Sequence, residues 1–248
     1  MSSDRSYIRP DNVSLFCNTN IDLLHDTPRG LVLEFPGHGG GSCLGGSMDF
    51  GPYHGDYAQK LADDRLLLCY TFPGPWSWMN RGSVRLIDLL VDTLQEIYSL
   101  TEDTPLITSG GSMGGLGSLI YTADTRHHVT ACVAACPCYD VPGSLFNRES
   151  FPRSLLSAVA CYDMPFEDAL KTISPLHRLS DLRDVPYFIT CNGQDQCFPA
   201  DGMHRFLDAM KQRGLTVTLC DMPDLPHGGF TPEVRNALTQ FILDRSHC

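Results

Sequence analysis

The chain has 248 residues, 42% of them hydrophobic and 19% charged, with a mean hydropathy of −0.11. That apolar content excludes a disordered or low-complexity protein and is enough for one large domain or two small ones. Eighteen Lys and Arg against 29 Asp and Glu leave a net charge of −11, which argues against nucleic acid or an anionic membrane surface as a partner, since both need clustered cations.

The first residues, Met1-Ser2-Ser3-Asp4-Arg5, lead into no apolar secretory core. The apolar run Arg65 to Phe72 has strand length, well short of the roughly 18 residues of a membrane span. Eleven cysteines sit mostly singly among apolar neighbours, as at Cys69, Cys132, Cys191 and Cys220. The odd count and this placement predict buried, reduced thiols and a cytoplasmic protein. No C-x-x-C occurs, and Cys136-Pro137-Cys138 is too tight for a structural zinc pair, so neither a metal nor a cofactor is expected.

Short apolar runs alternate with amphipathic segments, the pattern of a mostly parallel α/β sheet with helices on both faces. Strands are predicted at 31–35 and 66–71, each stopped by a Pro-Gly pair. A helix is predicted over 83–100, where Val84, Ile87, Leu90, Val91, Leu94 and Ile97 recur at spacings of three and four, with Asp88, Asp92 and Glu96 interleaved. Strands at 106–108 and 129–135 follow, with a helix between them. Five prolines and glycines break the rhythm over 138–175 (Pro142, Gly143, Pro152, Pro165, Pro175), which predicts a lid-like insertion into a single domain spanning 1–248. The alternation then resumes, with strands at 185–191 and 215–220 and helices at 201–213 and 232–243.

The chemistry concentrates at Gly110-Gly111-Ser112-Met113-Gly114-Gly115. It holds one G-x-S-x-G, following a buried-type strand and opening a helix, as a nucleophile elbow must. A serine hydroxyl needs a base, and His227 lies between the last strand and the last helix, at the same sheet end as the elbow. The imidazole needs an acid to fix its tautomer, and Asp195 directly follows the strand at 185–191. Asp221 and Asp224 compete for that role from positions close to His227 in sequence. The order Ser112, Asp195, His227 is the one this arrangement requires. For an oxyanion, the Met113 amide supplies one donor. The loop Phe35-Pro36-Gly37-His38-Gly39-Gly40-Gly41 supplies the second, from His38 first and Gly39 next. No G-x-x-x-x-G-K and no G-x-G-x-x-G occurs, so a nucleotide site is not expected.

With Gly37-His38-Gly39-Gly40, the elbow, Gly193-Gln194-Asp195 and Pro226-His227-Gly228, the chain resembles the α/β-hydrolase-fold serine hydrolases over roughly residues 30–245. Ser174-Pro175-Leu176 followed by Val185-Pro186-Tyr187-Phe188-Ile189 looks like the acid-bearing stretch of the prolyl-oligopeptidase-like and acyl-esterase branches. The strand end reads Phe35-Pro36-Gly37 where many members have His-Gly, and there is no length for a propeller domain. The resemblance implies Ser112 as nucleophile, Asp195 as acid and His227 as base. Trp76, Trp78 and Tyr139 are the first candidates for substrate contact, with Tyr53, Phe146, Phe151, Tyr162 and Phe198 behind them and Arg81 and Arg148 as possible anion partners. Three readings remain open: an esterase of small or medium acyl esters, a peptidase on the same triad, and a non-catalytic binding protein. A homo-oligomer is compatible with all three.

Overall fold

A computed structural model describes residues 7–38, 55–74 and 76–247. Seven strands form one sheet: β1 (Cys17–Thr19), β2 (Gly30–Phe35), β3 (Leu66–Thr71), β4 (Leu106–Gly110), β5 (Ala131–Ala135), β6 (Tyr187–Gln194) and β7 (Val217–Pro226). Their order across the sheet is β1-β3-β2-β4-β5-β6-β7. Only β1 runs antiparallel, against β3; the other pairs are parallel. All carboxyl ends of the parallel strands therefore open on one edge, where ligands bind in such sheets.

Strand alternation divides the core in two. Leu31, Leu33 and Phe35 join Leu67 and Cys69 under α2 (Arg81–Tyr98), α3 (Met113–Asp124) and α7 (Ala200–Gln212). Val32, Leu66, Leu68 and Phe188 face the other way, under α1 (Asp56–Asp63) and α8 (Pro232–Arg245). Three short helices, α4 (Val141–Ser144), α5 (Phe151–Val159) and α6 (Phe166–Thr172), fall within the 138–175 stretch.

The helix expected at 83–100 runs from Arg81 to Tyr98 because Asn80 caps it, its side chain accepting from the amides of Gly82 and Ser83. Asp88, expected on the polar face, is buried instead. It accepts from Tyr121 Oη (3.0 Å) and Thr125 Oγ1 (2.5 Å), so its carboxylate bonds to α3 and the turn after it rather than to water. The last two strands outrun their predicted ends. β6 continues through Asn192-Gly193-Gln194 and β7 through Pro226, paired to each other across a register shift. No helix among the described residues is long and apolar enough to cross a membrane.

Candidate active site

The elbow is built from missing side chains. Ser112 sits at φ 61°, ψ −122°, a backbone region that costs roughly 1–3 kcal/mol for a residue bearing a Cβ. Its amide donates to Ala135 O (2.8 Å), pinning the turn to the end of β5. A Cβ on Gly114 would lie 2.1 Å from Phe35 O, and one on Gly110 would lie 2.5 Å from Gly114 O. Glycine is thus required on both sides of the serine, because α3 starts in contact with the backbone of β2 and the end of β4 lies against that first turn.

The other two members arrive on the prolonged strands. Asp195 is the residue after β6, and His227 the residue after β7. Gly193 allows the approach of the two chains, since a Cβ there would meet Pro223 O at 2.3 Å. His227 Nε2 lies 2.8 Å from Ser112 Oγ, and His227 Nδ1 lies 2.6 Å from Asp195 Oδ2. A carboxylate only accepts, so Nδ1 carries the proton and Nε2 is left to accept from the serine hydroxyl. The Asp195 side chain is 2% exposed, and its other oxygen accepts from the amides of Cys197 (2.7 Å) and Phe198 (2.9 Å). Asp221, the competing acid, is turned away and pairs with His204 on α7 at 3.0 Å.

Sequence reasoning missed several supports of this geometry. Asn192, buried at the end of β6, donates from Nδ2 to Pro226 O (2.6 Å) and Gly229 O (3.0 Å), bracing both sides of His227. Its signal was an amide next to Gly193 in what read as a loop. Phe198, named only among the lesser contacts, presents its ring edge-on to His227 at 5.2 Å. The Cys136 sulfur lies within 4.8 Å of the ligand atoms of Asp195 and His227. Burial pushes its thiol up to about 11, so it stands beside the pair as a neutral group.

Met113 is the first residue of α3, where no preceding turn supplies a carbonyl for its amide. The β2 loop runs alongside: a Cβ on Gly37 would lie 3.9 Å from Ser112 Cβ. That sets Gly37 beside Ser112 with His38 next in the chain, while Gly39 falls outside the described residues. The His38 ring is held in an aromatic surround of Trp76 (6.0 Å), Trp78 (5.5 Å) and Phe151 (5.1 Å between ring centres). Partial burial lowers its basicity. Its Nε2 lies 2.9 Å from Ser154 Oγ, which also accepts from Trp78 Nε1 (3.1 Å) and donates to Phe151 O (3.1 Å). α5 is thereby tied to the loop beside Ser112.

The substrate-contact candidates separate. Trp76 is 37% exposed and stacks on His38, at the site. Trp78 is a correction. It is fully buried, because Trp76, Trp78 and Met79 all take positive φ (48–50°) and this coiling turns the indole under α5. Tyr139 is a second correction: it is almost wholly buried against Phe206, with its hydroxyl on Pro199 O (3.2 Å). Arg81 is engaged by Cys161 O and the Tyr162 ring, and Arg148 by the Cys197 sulfur. Phe151 is buried behind His38, Phe146 is exposed, and Tyr53 lies outside the described residues.

A mostly parallel sheet with a strand–serine–helix elbow, and an acid and a histidine following the next-to-last and last strands, defines the α/β-hydrolase fold. Residues 84–244 match the prolyl oligopeptidase family (Peptidase S9), and the chain belongs to that family. No curated protein sequence matches it. Among solved structures it is similar to Pyrococcus horikoshii acylaminoacyl peptidase, with a TM-score of 0.70 and 14% identity over 89% of this chain and 37% of that one. It is also similar to esterase B from Lactobacillus rhamnosis, with a TM-score of 0.66 and 13% identity over 90% of this chain and 78% of that one. A truncated carbohydrate esterase from gut microbiota gives a TM-score of 0.69 and 14% identity, covering 90% of this chain and 88% of that one. The chain thus spans little more than a third of the acylaminoacyl peptidase.

Proposed function

We propose that the chain is a serine hydrolase that cleaves carboxylic esters through an acyl-enzyme. The observation that carries this is the continuous relay Ser112 Oγ–His227 Nε2, His227 Nδ1–Asp195 Oδ2 at 2.8 and 2.6 Å. Ser112 Oγ attacks the ester carbonyl as its proton passes to His227 Nε2. Asp195 stabilises the imidazolium that forms. The carbonyl oxygen, now anionic, accepts from the amides of Met113 and His38. When the tetrahedral adduct collapses, the C–O bond to the alcohol breaks and His227 returns the proton to the leaving oxygen. Water then attacks the acyl-serine by the same path, releasing the acid and restoring the hydroxyl.

Trp76 forms a wall of the acyl pocket, and the 138–175 insertion roofs the carboxyl edge of the sheet. The nine free cysteines among the described residues fit a reducing, cytoplasmic setting. Family membership favours a peptidase as the second reading. The similarity to two esterases supports the ester reading. p-Nitrophenyl esters of rising acyl length, assayed beside acetylated sugars and aminoacyl-p-nitroanilides, decide between them. An amide leaving group demands protonation that a phenolate does not. Turnover of the esters with little or none of the anilides is expected; the reverse order establishes the peptidase.

A further inference from the structure

A second cluster of donor atoms lies one layer below the triad, and the hydrolase chemistry does not use it. Cys191 on β6 and Asp221 on β7 are register partners in a parallel ladder, so their side chains leave the sheet on the same face. That face is covered by α7, which brings His204 over the pair. His204 Nε2 lies 3.0 and 3.2 Å from the two oxygens of Asp221, and the ligand atoms of all three residues fall within 4.8 Å of one another. The thiol is buried, whereas His204 and Asp221 are about half exposed, leaving an approach from solvent.

We propose that Cys191, His204 and Asp221 form a binding site for a divalent transition-metal ion of the zinc type, with water completing a tetrahedral shell. One thiolate, one imidazole and one carboxylate are a donor set such ions accept. Tetrahedral bonds of about 2.0–2.3 Å set neighbouring donors roughly 3.3–3.7 Å apart, so the cluster closes by an ångström or so, which the two exposed side chains can supply by rotation. The balance is simple: the ion displaces the thiol proton to solvent, the proton that His204 Nε2 donates to Asp221 moves to Nδ1, and the Nε2 lone pair this frees binds the metal. No redox change is involved.

The position gives the site a consequence. Cys191 on β6 precedes Asp195 by four residues and Asp221 on β7 precedes His227 by six, with the register shift between. An ion there ties the two strands together at the root of the acid and the base, and binding to the folded state alone raises the unfolding temperature.

The test is independent of any substrate. The full chain, stripped with chelator and kept reduced with a phosphine, is titrated with Co2+ and followed by absorbance and thermal unfolding. One equivalent per chain is expected, with a thiolate-to-cobalt charge-transfer band and a raised unfolding temperature. Cys191→Ser should abolish the band, and His204→Ala and Asp221→Asn should each weaken binding at least about tenfold. His204→Ala changes a half-exposed ring, so it remains informative should Cys191→Ser fail to fold. Unchanged affinity in His204→Ala overturns the proposal, as does the absence of a thiolate band at millimolar Co2+. So does a band that survives Cys191→Ser and disappears in Cys136→Ser, which would place the ion at the triad.

Discussion

Gly114→Ala should damage both the fold and the nucleophile. The added Cβ would sit 2.1 Å from Phe35 O and 2.8 Å from Phe35 C, whereas real Cβ contacts essentially never fall below 3.0 Å. Both neighbours are backbone within a sheet held by β3 and β4 on either side, so α3 and β2 must separate by roughly 1 Å. Overpacking of this kind costs about 1–3 kcal/mol, and the gain of up to about 1 kcal/mol from replacing glycine in a helix offsets part of it. Because the clash is with backbone, a net loss of about 2 kcal/mol is expected. The shift also moves Pro36-Gly37-His38 away from Ser112, so labelling of the serine by a fluorophosphonate should slow by tenfold or more, by about 1.4 kcal/mol per tenfold. Gly117→Ala, one turn later, is the control: its nearest contact is Met79 Cε, the end of a side chain rather than backbone, at 3.2 Å, and its stability should stay within about 0.5 kcal/mol of the parent. Urea unfolding of both variants reads the difference. Equal stability of Gly114→Ala and the parent, with equal labelling rates, would refute the close contact of α3 with β2.

Other consequences follow from single contacts. At the positive φ of residue 112, Ser112→Gly should be about 1 kcal/mol more stable than Ser112→Ala, with both inactive; denaturation midpoints measure this. Asp195→Asn should lower ester turnover by about 10³–10⁴, and Asp221→Asn by less than about twofold, since Asp221 serves His204; an inactive Asp221→Asn beside an active Asp195→Asn would reverse the assignment. Burial raises the Glu34 carboxyl from 4.5 to about 7 when folded, against a smaller lowering by its hydrogen bond to Ser109. A folded-state pKa above the unfolded one gives stability that is full below pH 4.5 and lost as pH rises to about 7. On that basis the parent should lose roughly 2–3 kcal/mol more than Glu34→Gln between pH 4.5 and 8. Parallel pH profiles of the two proteins would show that Glu34 does not titrate this way.

Most of the sheet and the meeting of Ser112, Asp195 and His227 at one of its ends were legible because local residues dictate them. Apolar runs closed by Pro-Gly mark β2 and β3, and a serine between glycines after a buried strand fits the strand–turn–helix of an elbow. The places where reading stopped share a cause, namely contacts made far along the chain. Asn192-Gly193-Gln194 and Asp221 to Pro226 look like loops, yet they pair with each other on the edge strand, where prolines and polar residues are tolerated. Trp78 looked exposed in a Pro- and Gly-rich loop, but three left-handed residues, Trp76, Trp78 and Met79, and a hydroxyl at Ser154, 76 residues away, put it inside. Asp88 fitted the polar side of its helix until Tyr121 and Thr125 supplied partners. The cluster of Cys191, His204 and Asp221 carried no motif, because strand register and helix packing, not spacing, bring the three together.

The most direct measurement is the rate and position of covalent labelling by a fluorophosphonate, read by intact mass and by peptide mapping. A single adduct on Ser112 is expected, absent in Ser112→Ala and at least about a hundredfold slower in a folded His227→Ala. An adduct on a different residue, or labelling of His227→Ala at the parent rate, would contradict the relay.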